Sequence, residues 1–333
     1  MKQNAIIFGV GRNYKVLYKY ICAEYDIIAL SDNDNSKWHK TDTISGKTII
    51  PPSEIKHIIE KFTNEGGCKI LITPRFSNDI ILQLLAKFPL ISVYVCRIDY
   101  NRQSCNLAEF YMDNDVLISC FNTIKVENDL SAVSWIEVFW GEAYKIEYPF
   151  FEHNNTIAID IGMNVGCASL YFANMENVEK IYSFEPFTEN YTDALRNFEL
   201  NQAISHKIIP HNFGLGNGNH VLSVSNNIAC RKIGDGATQI AIKYAAEVLS
   251  PIIDEYWKKR KIWFKCDCEG GEYDIFESLD KAGLFSKIDI ITMEWHGYKL
   301  DFLKKMLLKN HFAFYVIDNM GIGMIYAFKL EGG

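Results

Sequence analysis

Residues 156–166 read TIAIDIGMNVG, an apolar run that passes through a carboxylate into a loop with two glycines. The run before Gly162 predicts a β-strand, and the glycines predict a sharp turn into a helix. Such a unit presents backbone N–H groups to a ligand at the carboxyl end of a parallel strand. We therefore expect an α/β sheet with a binding site at this edge.

Asp160 sets the charge that the loop prefers. Its carboxylate precedes Gly162 by two residues, where it would repel a pyrophosphate, since like unit charges about 4 Å apart cost about 4 kcal/mol at an effective dielectric of 20. It would favour a cationic ligand such as S-adenosylmethionine. Glu185 follows 23 residues after Gly162, a spacing at which an acid accepts hydrogen bonds from a ribose. The alternatives are a helix N-cap for Asp160 and a solvated strand end for Glu185.

The chain around this unit alternates short apolar runs with helical stretches, which is typical of parallel βαβ units. Two β-rich runs within 311–330, split by NMG, predict a terminal antiparallel hairpin. A helical stretch is predicted at 243–261. The other strands predicted in this half lie at 156–162, 180–185, 207–212, 220–225, 262–267 and 289–294.

The first part of the chain predicts a smaller doubly wound domain over residues 1–97. Residues 98–150 hold apolar residues at helical spacing and predict a helical connector packed on the second domain, 151–333. The first domain combines strands at 5–10, 26–31, 69–73 and 91–96 with helices at 12–25, 53–62 and 78–88.

An acidic stretch, KCDCEGGEYD, occupies residues 265–274. Side chains alternate along a strand, so Asp267 and Glu269 share one face at the strand end. Glu294 and His296 end the next predicted strand, at the same edge of the sheet. Glu272 and Asp274 fall in the first turn of a helix, where carboxylates stabilise the helix dipole; we interpret these two as structural.

The first glycine loop, GVGRNY at 9–14, favours the opposite charge. Arg12 is a cation beside Gly9 and Gly11, and its charge favours binding of a phosphate. Asp32 follows Gly11 by 21 residues, again at the ribose spacing. These four residues predict a nucleotide site; the alternative is a scaffold domain without a ligand.

Composition narrows the function classes. The 333 residues are 48% hydrophobic, with a net charge of −7, which argues against nucleic acid as a partner. The nine cysteines have no disulfide or zinc spacing and are expected to be reduced. We find no signal peptide and no apolar run long enough to span a membrane, and expect a cytoplasmic protein without membrane insertion.

Five motifs in order, AIDIGMNVG, YSFEP, NFGLGNGN, FKCDCEGGEYDIF and MEWH, resemble FkbM-family S-adenosylmethionine-dependent methyltransferases over about 156–300. The resemblance implies a class I methyltransferase fold, a seven-stranded Rossmann-like sheet with an antiparallel last strand. It also implies S-adenosylmethionine as cofactor, with Glu185 on the ribose. The remaining positions it implies are Asp160, Gly162, Asn164 and Gly166 at the methionine end, and Asn212 and Gly214 near the adenine.

The sequence departs from that family at GGE, 270–272, and in the helical stretch 243–261. The resemblance therefore does not define the geometry on the acceptor side of the site. Residues 4–75 resemble the small Rossmann-like nucleotide-sugar-binding domain of sugar-modifying enzymes. Together the resemblances imply a methyltransferase acting on a sugar hydroxyl in surface-glycan, capsule or glycolipid synthesis. The acceptor would be a small molecule or glycan, or a nucleotide sugar, and a homo-oligomer is compatible with the sequence.

Methyl transfer to a hydroxyl requires an oriented acceptor and a base that removes its proton. His296 is the candidate base because its ordinary pKa of about 6.5 lies near working pH, and Asp267, Glu269 and Glu294 complete the predicted catalytic set. We expect no metal; the competing hypothesis is Mg²⁺ or Mn²⁺ on these three carboxylates. Two other functions stay open: an NAD-dependent nucleotide-sugar oxidoreductase and a non-catalytic sugar-nucleotide sensor.

Overall fold

A computed structural model describes residues 2–62, 67–74, 77–99, 104–114, 116–121, 123–127, 135–146, 155–224, 238–297, 299–318 and 321–330. The chain divides into two compact units, Met1–Ser131 and Ala132–Gly333. Each unit has its own sheet and its own apolar core.

The first unit is built on an eight-stranded sheet in the order β3-β2-β1-β4-β5-β6-β7-β8. Its predicted strands and helices are confirmed to within a few residues. The parallel strands are β1 Gln3–Phe8, β2 Tyr25–Ser31, β3 Ile49–Ile50, β4 Cys68–Ile72 and β5 Val93–Asp99, and the helices are α1 Arg12–Glu24, α2 Ile55–Phe62 and α3 Asn78–Lys87.

The predicted helical connector is wrong over residues 104–127. These residues form three antiparallel strands, β6 Ser104–Asp113, β7 Val116–Phe121 and β8 Ile124–Glu127, that extend the first sheet beyond β5. The edge of β5 offers unpaired N–H and C=O groups, and pairing with it decides the conformation over the local helical spacing. Ile136–Trp140 is helical and belongs to the second unit, as predicted. Residues 100–103, 115, 122, 128–134 and 147–150 of the predicted connector lie outside the described residues.

The second unit contains a seven-stranded sheet in the order β11-β10-β9-β15-β16-β18-β17. β18 runs antiparallel to both neighbours, so the predicted antiparallel last strand and hairpin are confirmed; its turn at 319–320 lies outside the described residues. The strands are β9 Thr156–Ile161, β10 Val178–Phe184, β11 Ile208–His211, β15 Lys261–Cys266, β16 Ile290–His296, β17 Phe312–Asp318 and β18 Ile322–Lys329.

In the described part of this unit, six α-helices pack with this sheet, together with a π-helix Ile136–Trp140 and a 3-10 helix Leu284–Lys287. Three short strands form a side sheet in the order β12-β14-β13. The side-sheet strands are β12 Gly214–Gly216, β13 His220–Val224 and β14 Thr238–Tyr244. The helices are α4 Cys167–Ala173, α5 Thr188–Glu199, α6 Gln202–Ser205, α7 Ala245–Tyr256, α8 Glu272–Lys281 and α9 Leu300–Lys309. Among the described residues, none of these helices is long and apolar enough to cross a bilayer.

The core of the second unit lies between the central strands and α7, α8 and α9. Phe264, Phe276 and Phe285 are fully buried and meet edge to face. Burying one such side chain stabilises the fold by about 1.5–3 kcal/mol. This packing holds β9, β15 and β16 side by side, so their carboxyl ends meet at one edge.

Candidate active site

The glycine loop after β9 is held against the end of β15. Gly162 adopts φ +77°, and a Cβ there would lie 1.6 Å from the carbonyl oxygen of Asp267. The N–H of Asp267 donates to the carbonyl of Ile161 at 3.0 Å. Only glycine fits this approach, because a side chain would strike the backbone. The predicted loop and the predicted acidic edge therefore meet.

Asp160 does not face the loop as an open carboxylate. It is fully buried, its Oδ1 lies 2.9 Å from Lys265 Nζ, and its Oδ2 accepts a 2.6 Å hydrogen bond from the hydroxyl of Ser169. Burial alone would lower the pKa of Lys265, but the carboxylates of Asp160 and Asp267 outweigh burial and raise it. The prediction of an open carboxylate at Asp160 is wrong, because Asp160 is buried and Lys265 neutralises its charge.

Glu185 lies where the sequence predicts, directly after β10, and only 3% of it is exposed. Its Oε2 accepts from the N–H of Asn164 at 2.9 Å and its Oε1 from the N–H of Phe187 at 3.0 Å. Burial raises the pKa of Glu185 to about 7, against the effect of these two donors. The side chain of Asn190 also hydrogen bonds to Glu185. A carboxylate has about four acceptor positions, so about one remains for a ribose hydroxyl.

The other cofactor positions predicted from the resemblance surround Glu185. Asn212 donates from Nδ2 to the carbonyl of Glu185 at 3.0 Å. Asn164 adopts φ 51° in the loop. Gly166 begins α4, and Gly214 lies on β12, where a Cβ would lie 2.7 Å from Ile242. The structure thus brings the predicted donor positions to the carboxyl ends of β9 and β10, where a Cβ on Gly214 of β12 would lie 3.3 Å from Pro186.

The acidic edge is assembled around His296, whose side chain is 15% exposed. Its Nε2 lies 3.5 Å from Glu269 Oε2 and 3.9 Å from Glu294 Oε1. Its Nδ1 lies 3.4 Å from Glu272 Oε1. The hydroxyl of Tyr144 donates to Asp267 Oδ2 at 3.2 Å. All four predicted catalytic residues therefore share one edge.

The surrounding charges decide the protonation of this cluster. Burial lowers the pKa of His296, but Glu272, Glu269 and Glu294 outweigh burial and raise the pKa to about 9. Burial and the charge of Asp267 raise the pKa of Glu294 to about 7. At neutral pH His296 is therefore an imidazolium, which cannot accept a proton. The carboxylate of Glu294 is the group with a pKa near working pH.

Glu272, Tyr144 and Lys265 are members of the site that sequence reasoning missed or assigned elsewhere. Glu272 is fully buried, and its carboxylate accepts from the N–H of His296 at 2.7 Å and from that of Gly270 at 2.8 Å. It positions His296 rather than only stabilising the start of α8. A lysine in the apolar run KIWFKC was the available signal for a buried charge partner.

Asp267, Glu294 and His296 could hold a divalent ion. One ligand atom from each lies within 4.8 Å of the others, a spacing that one ion could bridge with oxygen and nitrogen ligands. His296 takes the place of Glu269 in the ligand set that the sequence suggests. It would have to lose its proton to bind the metal.

The nucleotide site predicted in the first unit is a cavity of about 390 Å³ at the carboxyl ends of β1, β2 and β4. Gly9, Gly11, Arg12 and Asp32 all line it. Arg12 is exposed and forms no ion pair with any described residue. Gly9 adopts φ +96° in contact with Pro74. The four residues predicted from the sequence are therefore brought together.

Asp32 is already engaged within the protein. Its Oδ2 accepts from the N–H of Val10 at 2.7 Å and from Lys37 Nζ at 2.9 Å, and its Oδ1 accepts from the N–H of Asp34 at 2.9 Å. Lys37 neutralises its charge. A ribose would have to compete with these donors. Asp32 is therefore better suited to holding the glycine loop in place than to binding the ribose of a dinucleotide.

Comparisons with known proteins address both units. Residues 160–319 match the family model described as the Methyltransferase FkbM domain, and residues 1–63 match that of the C2185-like N-terminal domain. No curated protein matches this chain.

Many solved structures are similar to this chain at low identity, among them the following three. A methyltransferase FkbM from Methylobacillus flagellatus has 12% identity, a TM-score of 0.37 and coverage of 98% of this chain and 90% of its own. A protein of the NADB-Rossmann superfamily from Streptococcus agalactiae has 14% identity, a TM-score of 0.36 and coverage of 57% of this chain and 66% of its own. TrmK of M. capricolum, in complex with S-adenosyl-homocysteine, has 12% identity, a TM-score of 0.34 and coverage of 54% of this chain and 64% of its own. Similarity at this level does not by itself assign a function.

The strand order, the antiparallel β18 and the matched residues agree with the resemblance seen in the motifs. Residues 160–319 of this chain thus match the Methyltransferase FkbM domain, the family that the motifs resemble.

Proposed function

We propose that the second unit transfers a methyl group from S-adenosylmethionine to a hydroxyl of a sugar, in surface-glycan, capsule or glycolipid synthesis. The observation that carries this proposal is the cluster of Asp267, Glu294 and His296 beside the glycine loop of β9. It sets a proton acceptor and a cation at the edge where class I sheets bind their ligands.

The donor is proposed to lie along the loop and Glu185. Glu185 would accept from the ribose, and the carboxylates beyond β15 and β16 suit the positive charge of the methionine portion. Lys265 is shared between Asp160 and Asp267, so the negative charge of Glu269 and Glu294 is offset chiefly by His296. A cationic donor would relieve this imbalance.

Glu294 is the base that this geometry favours, in place of His296. Its Oε1 lies 3.9 Å from His296 Nε2. The acceptor hydroxyl gives its proton to Glu294 as its oxygen attacks the methyl carbon, and the C–S bond breaks to leave S-adenosylhomocysteine. The imidazolium of His296 orients the acceptor and stabilises the charge that develops on its oxygen.

The first unit is proposed to hold a nucleotide sugar through its diphosphate. Arg12 and the N–H groups at the start of α1 are the donors, in a cavity of about 390 Å³. Holding the nucleotide would raise the local concentration of an attached sugar acceptor. The commitment of Asp32 to Lys37 and Val10 argues against NAD, and so against the oxidoreductase alternative.

The test is incubation of the whole protein with S-adenosylmethionine labelled in the methyl group and a panel of nucleotide sugars and lipid-linked glycans. The expected product is a sugar methyl ether, formed in the presence of a chelator. Restoration of a chelated, inactive enzyme by Mg²⁺ or Mn²⁺ would assign the cluster to a metal. Donor and sugar binding without any transfer would favour the sensor, and reduction of NAD would favour the oxidoreductase.

A further inference from the structure

The second unit has a basic cavity at the edge of its sheet opposite to the candidate active site. The cavity lies where β15 and β16 begin and where β18 ends, and its volume is about 320 Å³. Among the described residues that line it, Asp289 is the one acidic residue. Six of the lining residues are basic: Lys258, Lys259, Arg260, Lys261, Lys287 and Lys329. This is a local concentration of positive charge in a chain whose net charge is −7.

Three of these cations are neutralised by carboxylates. Arg260 pairs with Glu179 at 2.7 Å, Lys261 with Asp289 at 2.7 Å and Lys287 with Asp254 at 2.5 Å. These ion pairs hold the side chains that form the walls of the cavity. The net positive charge of the cavity therefore comes from the other three lysines.

Lys258, Lys259 and Lys329 form no ion pair within the described parts of the chain. Lys329 donates to the carbonyl of Asn310 at 2.6 Å, and Lys259 donates to that of Glu255 at 2.8 Å. These partners are neutral and do not offset the ammonium charges. Burial lowers the pKa of Lys329, and the charge of Asp289 acts against that effect. Because cations crowded in one concave site repel one another, an anion there would be stabilised by all three.

Trp257 supplies an apolar wall and is 40% exposed. Its ring is flanked by Lys258 Nζ at 4.4 Å and Lys287 Nζ at 5.2 Å from the ring centroid. A ring flanked by two ammonium groups is oriented by cation–π contacts. The ring forms one wall of a concave cavity.

We propose that this cavity binds a phosphate-bearing small molecule, with Lys258, Lys259 and Lys329 holding the phosphate groups beside Trp257. A phosphate on a lipid headgroup would offer the same chemistry, but the concave shape favours a free ligand. A cavity of this size is at the lower end of the range for small-molecule sites. The site is separate from the diphosphate site proposed in the first unit and does not depend on methyl transfer.

The experiment titrates the whole protein with inorganic pyrophosphate at low ionic strength and follows both heat and tryptophan fluorescence. Trp257 is the local reporter, and the Arg12→Ala variant removes the contribution of the first unit. The double variant Lys258→Ala/Lys259→Ala should weaken binding at least about tenfold, since each loss removes a charge-assisted contact. Lys305→Ala, an exposed lysine on α9, is the matched control and should leave the affinity unchanged.

Three results together establish the site. Binding of pyrophosphate is lost in the double variant and kept in Arg12→Ala, and in Trp257→Phe it no longer changes the tryptophan fluorescence. Cosedimentation with phosphatidylglycerol but not phosphatidylcholine vesicles, without competition by pyrophosphate, would overturn the assignment to a free ligand. Absence of pyrophosphate binding in the Arg12→Ala protein, or equal binding by the double variant, would overturn the proposal altogether.

Discussion

Lys265 Nζ lies 2.9 Å from Asp160 Oδ1, and neither side chain is more than 2% exposed. Each charge is buried and depends on the other, because an unpaired charge in the protein interior is strongly destabilising. The pair joins β9 to β15 directly beneath the candidate active site. It accounts for a carboxylate in one buried strand and an ammonium in the next.

Removal of one partner should destabilise the fold strongly. Lys265→Met should lower the free energy of unfolding by about 3–5 kcal/mol, since it leaves the charge of Asp160 buried and unpaired. The double variant Asp160→Asn/Lys265→Met should recover part of this loss. Urea denaturation of the set measures both. The control is Lys261→Met on the same strand, whose half-buried pair with Asp289 should cost about 0–1 kcal/mol; an equal loss in control and test would contradict the argument.

Glu185 is expected to hold the donor through its ribose. Glu185→Ala should weaken S-adenosylhomocysteine binding by about 1.5–3 kcal/mol, the contribution of a hydrogen bond to a charged group. Calorimetry on the intact protein measures this. Glu189→Gln, an exposed carboxylate in the first turn of α5, is the control and should bind as the wild type does. Undiminished affinity in Glu185→Ala would remove it from the site.

The rate of methyl transfer should follow the protonation of Glu294 and His296. With pKa values of about 7 and about 9, kcat should rise as Glu294 ionises and fall as His296 loses its proton; the apparent values belong to the coupled pair. Glu294→Gln should lower kcat by about 10²–10⁴ with donor binding retained. If His296→Gln abolishes transfer and Glu294→Gln does not, His296 is the base.

His296 should also make stability depend on pH. Its pKa is raised on folding, from about 6.5 to about 9, so its stabilising contribution is complete below pH 6.5 and is lost as pH rises through 9. The loss should be of order 1–3 kcal/mol. Denaturation of the wild type and His296→Gln at pH 6 and pH 9.5 measures it. The variant should lack most of this pH dependence, whereas an unchanged slope would show that other groups cause it.

Arg12 is expected to bind a diphosphate in the first unit. A nucleoside diphosphate should raise the Tm of the whole protein, and Arg12→Ala should abolish that gain. Lys15→Ala, an exposed cation on the same helix that does not line the cavity, is the control. If the nucleotide sugar is the acceptor, Arg12→Ala should also raise KM for the sugar and leave KM for the donor unchanged. A Tm that no nucleotide shifts would make the first unit a scaffold.

The sequence by itself determined the order of elements and the edge of the sheet at which chemistry occurs. Strands, glycine loops and the hairpin follow from local periodicity and turn residues, which act over a few neighbours. Strand ends also place Asp267, Glu294 and His296 at one edge, since every parallel strand delivers its carboxyl end there.

Only the tertiary structure decided which charges meet. Asp160 and Lys265 are 105 residues apart along the chain, and their pairing depends on β9 lying beside β15. The sequence therefore suggested an open carboxylate at Asp160, where the structure has a neutralised one. It also suggested that His296 is the base, whereas Glu269, Glu272 and Glu294 raise its pKa and keep it protonated. The strands of 104–127 likewise exist because β5 offers an edge to pair with. Charge and pairing depend on neighbours in space, which local patterns do not specify.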